Sequence, residues 1–373
     1  MSEEPAKQRI GFIDLAKGVC IILVVAMHCG VPVDCIPGLK SMRMPLYFVL
    51  SGLFFKDYGG WVNFLVRKTN KLLVPFLFWY LLGCTVYYAL SLVNPSILDG
   101  NRNIIWNLFN SHWIINLPIW FLPALFWCNV LFCTISLYVK KDALRILLVC
   151  LLGSLGVYLG QKEIFVPLFM DTALTSLPFF ACGYYLKHSG ILYPNRCDRY
   201  NVLFAFLAWG GAYALSRCTE CHSDLRMNLL YGGSAAYASA ILSVLAVLFL
   251  CKMIKQLPFV SYIGRYSIVL LCVHFLIMRF VETLLSMGSI EHTELWFRLS
   301  YALAILVLSA LMIPVCRKLL PWFAAQKDLI KLPASLTREA SENLRFIIKK
   351  QINKRTQHAP AVPGSAVQTE KQQ

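Results

Sequence analysis

Apolar runs of about 20 residues recur along the chain, and no other feature limits its possible folds so strongly. A helix of that length crosses the hydrocarbon core of a bilayer. Within hydrocarbon every backbone N–H and C=O must be satisfied inside the protein, so only helices or closed barrels can span it. Barrel strands would be shorter and would alternate apolar with polar residues, whereas runs such as 72–93 and 296–316 are long and continuous. The expected fold class is therefore all-α: a polytopic membrane helix bundle of about ten transmembrane helices. They are placed near 11–29, 40–56, 72–93, 115–139, 143–160, 164–187, 200–216, 230–251, 266–286 and 296–316. Composition agrees, since 58% of the residues are hydrophobic and only 14% are charged, against about a quarter charged in soluble domains. The run at 164–187 holds Asp171 and Pro178 and is a candidate for a broken helix, a device that transporters use at midplane sites.

The net charge of +16 raises the question of nucleic acid. No aromatic-basic platform or helix-turn-helix pattern accompanies it, so no nucleic-acid partner is expected. The basic residues cluster instead in alternate loops and in the C-terminal segment. By the positive-inside rule this places both termini in the cytoplasm. The first ten residues are polar and the first apolar run holds Asp14 and Lys17, so no cleavable signal peptide is expected. Two regions follow: a membrane domain over 1–320, and a basic cytoplasmic tail over 321–373. Within the tail, 334–355 mixes Leu344, Phe346, Ile347 and Ile348 with Arg345, Lys349 and Lys350. That pattern suits an amphipathic helix on anionic lipid or a solvated charge run. The Gln-, Ala- and Pro-rich end, 356–373, is expected to be disordered. No internal repeat or soluble catalytic domain is visible, so any chemistry belongs to the membrane part.

Most of the fourteen cysteines lie singly in apolar runs, where cysteine behaves as a small hydrophobe. Cys218-Thr219-Glu220-Cys221-His222 differs, because C-x-x-C-H is the spacing of c-type haem attachment. A local disulfide and an inert loop are the other readings of the same five residues. No metal is expected.

An ionisable group inside a span is costly and is a functional hypothesis by default. The first span carries Asp14, Lys17 and His28. At about 100° per residue, Lys17 and His28 return to within roughly 20° of one face, some 16 Å apart along the axis. Asp14, one turn before Lys17, can pair with it on that face. The stripe thus has an acid–base pair near one end and an imidazole towards the other, which suits a long, thin donor with an anionic head and a reactive tip. The next segment, Arg43-Met44-Pro45-Leu46-Tyr47-Phe48-Val49-Leu50-Ser51-Gly52, puts Arg43 near the level of His28, and Ser51-Gly52 offers a place where helices approach closely. Arg67, Lys68 and Lys71 form a basic cluster leading into the third span. It can hold phosphates as point charges, or it can be simple positive-inside anchoring. Arg279 and Glu282 read as a structural i,i+3 pair.

Taken in order, these residues resemble the acyltransferase-3 family of integral membrane O-acyltransferases. The resemblance is carried by Arg9, the Asp14-x-x-Lys17-Gly18 step, His28, and the Met44-Pro45-Leu46-Tyr47-Phe48-x-x-Ser51-Gly52 run. It continues through Lys68-x-x-Lys71-Leu72 before Pro75, Trp120-Phe121-Leu122-Pro123-Ala124-Leu125-Phe126, Pro178-Phe179-Phe180 before Gly183, and Ser267 with His274. Within the family the chain most resembles the fucose-4-O-acetylase-like branch. The resemblance implies a multi-pass protein of the bacterial cytoplasmic (inner) membrane. It implies acetyl-CoA, or another acyl-CoA, as the donor and a sugar hydroxyl on a surface polysaccharide or its lipid-linked precursor as the acceptor. His28 matches the family's essential histidine. Lys17 stands where many members have Arg, and Lys68 and Lys71 stand where many have an Arg-x-x-Arg pair; lysine lacks the bidentate fork of arginine. No appended hydrolase-like domain is seen, as in the membrane-only form.

On this reading Lys68, Lys71 and Arg67 hold the CoA phosphates, with Lys17 deeper, and the pantetheine arm spans the roughly 16 Å to His28. His28 acts either as general base on the acceptor hydroxyl or as a covalent acyl carrier. Arg43 stabilises the oxyanion. His274, Asp171 and Trp120 are candidates on the acceptor side. The competing reading is a transporter or flippase for a glycan intermediate. It should show two related halves, and there is no second copy of the Asp-x-x-Lys…His pattern.

Overall fold

The computed structural model describes residues 10–36, 38–95, 108–109, 112–192, 198–287 and 294–331. These fold mostly as helices, because the i→i−4 ladder is the local way to pair a backbone in an apolar medium. In chain order they are α1 (Gly11–His28), α2 (Leu39–Leu53), α3 (Trp61–Lys68) and α4 (Val74–Ser91). Next come α5 (Phe121–Tyr138), α6 (Asp142–Gln161), α7 (Met170–Ser189) and α8 (Asn201–Thr219). The last are α9 (Ser234–Ile254), α10 (Pro258–Arg265), α11 (Ser267–Met287) and α12 (Leu295–Leu319). A π-helical turn, Thr69–Leu73, joins α3 to α4, and a 3₁₀ turn, Leu117–Trp120, leads into α5. Between α8 and α9 lies a two-stranded antiparallel hairpin, β1 (His222–Asp224) with β2 (Leu229–Tyr231).

Among the described residues, eight helical segments are long and apolar enough to cross a membrane: Gly11–His28, Trp61–Ser91, Leu117–Tyr138, Asp142–Gln161, Asn201–Thr219, Ser234–Ile254, Ser267–Leu285 and Leu295–Leu319. The chain is thus a multi-pass membrane protein. The two other expected spans are helices of a different kind. The 15-residue α2 is short, and α7 is too polar for lipid contact. Its Asp171, Thr172, Thr175 and Ser176 are buried, so they meet protein, which relaxes the demand for an apolar surface. The break considered for 164–187 does not fall at Pro178. The helix runs through Pro178 unbroken to Ser189, and the proline ring sits where Gly153 of α6 has no side chain to obstruct it. The irregular backbone comes earlier. Leu168 and Phe169 adopt the left-handed conformation in succession, with φ of 58° and 59°, a strained state for residues with a Cβ.

Two glycine pairs bring helix backbones into contact. A Cβ on Gly18 would strike the carbonyl of Val260, and one on Gly264 that of Asp14, so α1 and α10 touch main chain to main chain. Gly52 and Gly183 do the same for α2 and α7, against the carbonyls of Phe180 and Val49. This is the small-residue mode of association open to helices in lipid, and the close approach expected at Ser51-Gly52 is found there.

After α12 the chain folds back onto the α3–α4 region. Phe323 stacks on Phe78 at 3.9 Å, and Trp79 Nε1 donates to the Phe323 carbonyl at 3.0 Å. The buried Asn70 side chain, inside the π turn, accepts from the Leu329 and Ile330 amides at 2.9 and 2.8 Å and donates to the Ile330 carbonyl at 2.9 Å. Residues 321–331 are thereby packed on the bundle. The expected amphipathic segment 334–355 and the end of the chain lie outside the described residues.

Candidate active site

Two cavities, each of about 330 Å³, lie among α1, α2, α5 and α11, with α3 and the β1–β2 hairpin also contributing to their walls. The first lies at the Lys17 end of α1 and is lined by Lys17, Tyr47, Ser51, Lys68, Phe121 and Ser267, among others. The second lies at the His28 end, lined by His28, Lys40, Arg43, Trp113, Trp120 and Arg226, among others. One side chain, Leu271, lines both.

The sequence explains the division. On α1 the eleven-residue separation of Lys17 and His28 puts one in each cavity. The helix α2 runs the opposite way, with Lys40, Arg43 and Met44 at the His28 cavity and Tyr47, Leu50, Ser51 and Phe54 at the other. The Trp120-Phe121 junction sends Trp120 to the His28 side, whereas Phe121, Leu122 and Leu125 go to the Lys17 side. On α11, Ser267, Leu271 and His274 follow helical spacing along the same path. Asn116 fastens the turn before α5 to α11, donating from Nδ2 to the Cys272 carbonyl at 3.0 Å. Asn129 Nδ2 donates to Ser51 Oγ at 3.2 Å, and Tyr47 donates to the Lys17 carbonyl at 3.1 Å.

At the Lys17 cavity, the Lys17 ammonium lies 6.0 Å from the Phe54 ring centre and Lys68 lies 5.4 Å from that of Phe64. Asp14 is buried one turn away from Lys17. The basic cluster is split. Lys68 lines the cavity. Arg67 is exposed and stacks at 4.8 Å on Tyr58, itself a lining residue. Lys71 turns to the C-terminal segment, with Asp328 and the Ala325 carbonyl each at 2.9 Å. The wider π turn accounts for this, because it rotates Lys71 away from the face that Lys68 presents.

At the other cavity, the His28 ring packs 5.4 Å from His274 and 5.4 Å, edge-on, from Phe275. His274 is fully buried, and its Nδ1 is 2.7 Å from the Leu270 carbonyl. That contact assigns the proton to Nδ1 and leaves Nε2 an acceptor; Nε2 has no hydrogen-bond partner among the described residues. Arg43 is 6% exposed and pairs with Asp34 at 2.5 Å. Arg43, Arg226 and Arg279 all bring positive charge towards His28. Arg279 is itself held by Glu282 at 2.9 Å and Tyr87 at 3.2 Å, the structural i,i+3 pair expected.

Asp171 does not line either cavity. It is fully buried and meets His112 Nε2 at 2.8 Å, beside the left-handed Leu168–Phe169 turn, and the Phe169 ring lies 5.9 Å from that of Trp120. Two residues of this region carry no signal in the sequence. His112 carries no periodic signal. Arg226 lies in a loop between two apolar runs. Arg226 sits in the β1–β2 turn, over the Trp113 ring at 4.3 Å. Burial pushes its guanidinium below the ordinary range, with Asp224 opposing the shift. The turn is pinned by fully buried Asn228, whose Nδ2 donates to the Gly156 carbonyl at 3.0 Å and whose Oδ1 accepts from Thr175 at 2.6 Å. Cys218, which is exposed, and Cys221, which is buried in the same hairpin region, are both free thiols.

The family model described as "Acyltransferase domain", of the acyltransferase-3 type, matches residues 10–316. No curated protein matches the chain, and neither does any solved structure.

Proposed function

Because the chain belongs to the acyltransferase-3 family and is a membrane acyltransferase, we propose that it moves an acetyl group from acyl-CoA in the Lys17 cavity to a hydroxyl in the His28 cavity. The acceptor is a sugar of a surface polysaccharide or its lipid-linked precursor, as in the fucose-4-O-acetylase-like branch. The bacterial inner membrane is the setting, with the Lys17 end and both termini towards the cytoplasm. The observation that carries this reading is the pair of cavities joined at Leu271, with Lys17 and His28 of one helix in each. A long, thin donor is the molecule such a shape suits: phosphates at the mouth near Lys68 and Arg67, pantetheine along α1, thioester at His28.

In the reaction, His28 takes the proton of the acceptor hydroxyl as its oxygen bonds to the thioester carbonyl carbon. The tetrahedral intermediate collapses, the C–S bond breaks, and the proton passes to the departing thiolate. Arg43, with its position fixed by Asp34, offsets the negative charge that develops on the carbonyl oxygen. His274 packs against His28 and supports its ring orientation, and Trp120 gives the sugar a flat apolar face.

Replacing His28 with alanine tests the mechanism. The variant should reach the membrane in normal amounts and transfer no label from acetyl-CoA. Transfer at the wild-type rate would reject the role given to His28. Mass spectrometry of surface glycans, with and without the protein, should show the loss of an acyl mass increment and so identify the acceptor.

A further inference from the structure

The His28 cavity has more positive charge than the transfer reaction alone requires. Three of its lining residues are cationic, Lys40, Arg43 and Arg226, against two carboxylates, Asp34 and Asp224. Asp34 is engaged by Arg43, and Asp224 Oδ1 also accepts from the Met227 amide at 3.3 Å. Arg226 is the unusual member. Its flat face rests on Trp113, which leaves the N–H edge as the part able to bind. Nη1 on that edge is buried and has no hydrogen-bond partner among the described residues. Arg226 as a whole is half-buried, but a buried, unmet guanidinium donor is costly. Basic residues are also scarce in the segments that the charge bias assigns to the outer side. Three of them nonetheless converge on this one cavity.

Resting on the transfer reading above, we propose that the His28 cavity is an anion-binding subsite: the acceptor carries a negatively charged group, a carboxylate or a phosphate, held by Arg226 with Lys40 beside it. The planar fork of arginine suits the paired oxygens of either group. A sugar stacked near Trp120 would then be fixed at two points, with its anionic substituent at Arg226 and a hydroxyl at His28. A carboxylate would come from an acidic sugar of the glycan, and a phosphate from the carrier end of a lipid-linked precursor.

The test is binding without any acyl donor. Full-length protein in nanodiscs is titrated calorimetrically at low salt with methyl glucuronide, glucose 1-phosphate and neutral methyl glucoside. At least one anionic sugar should bind about tenfold more tightly than the neutral one, the equivalent of one charge-assisted contact. Preference for the glucuronide assigns the carboxylate source and preference for glucose 1-phosphate the phosphate source. Arg226→Gln should erase the preference while leaving the weak neutral binding, and Arg226→Lys should restore part of it. Equal affinity for all three sugars, no binding of either anion, or an unchanged preference in Arg226→Gln would overturn the proposal. Should Arg226→Gln fail to fold, the wild-type comparison decides alone. The donor is absent throughout, so a protein that binds anions and yet transfers no acetyl group would count against the transfer reading and not against this site.

Discussion

Lys68 and Lys71 are three residues apart and chemically identical, yet they have different partners. Lys68 faces the Lys17 cavity, and Lys71 is tied to Asp328. Lys68→Ala should therefore raise the KM for acetyl-CoA about tenfold, the equivalent of one phosphate contact, with little change in acceptor dependence. Lys71→Ala should leave the KM within about twofold, and should loosen residues 321–331 instead, as seen by faster amide exchange there. Equal KM effects in steady-state assays would return both lysines to the donor site. At this scale the sequence revealed much. His28, Lys17 and Arg43 stand out because a charged or titratable group in an apolar run is rare and costly. Arg226 did not, because nothing in a single sequence links a turn residue to a histidine almost two hundred positions earlier. The turn of Lys71 towards Asp328 was not legible either, because a π turn leaves no mark in hydrophobic periodicity.

The helices associate through their smallest residues. Gly264→Ala would drive a Cβ into the Asp14 carbonyl and force α10 away from α1. The expected cost is about 1–3 kcal/mol, typical of overpacking, read as a lower melting midpoint in detergent. Gly210→Ala on α8 meets nothing within 4 Å and should be neutral or slightly stabilising, since alanine is the better helix former. A Gly264→Ala protein that melts with the wild type would show that this contact is looser than the geometry describes. The long helices were legible from the apolar runs, whereas the short α3 and α10 and the β1–β2 hairpin were not. The character of α2 and α7 was less legible, because hydropathy reports contact with lipid whereas these helices bury polar groups against neighbours. The unbroken passage through Pro178 depends on Gly153, a residue on another helix, which local sequence rules do not take into account.

At the scale of the whole molecule, the transfer we propose between the two cavities has a direction. In proteoliposomes with one orientation, acetyl-CoA should support transfer only when supplied on the Lys17 side, and acceptor only on the His28 side. Radiolabel transfer with each substrate confined to one compartment measures this, and equal use of donor from both sides would remove the vectorial reading. The shared wall has another consequence. A cell membrane is an electrical insulator, and in the proposed orientation the two hollows thin that insulation at the residue they share. Leu271 stands at that point and is 5% exposed. On the proposed reading its isobutyl group would be the seal, an apolar group set across a path that protons could otherwise follow. Leu271→Ala should make vesicles carrying the protein lose an imposed pH gradient faster than wild-type vesicles, with CoA in the Lys17 cavity slowing the leak. The leucine would thus serve the voltage of the membrane as much as the chemistry within it.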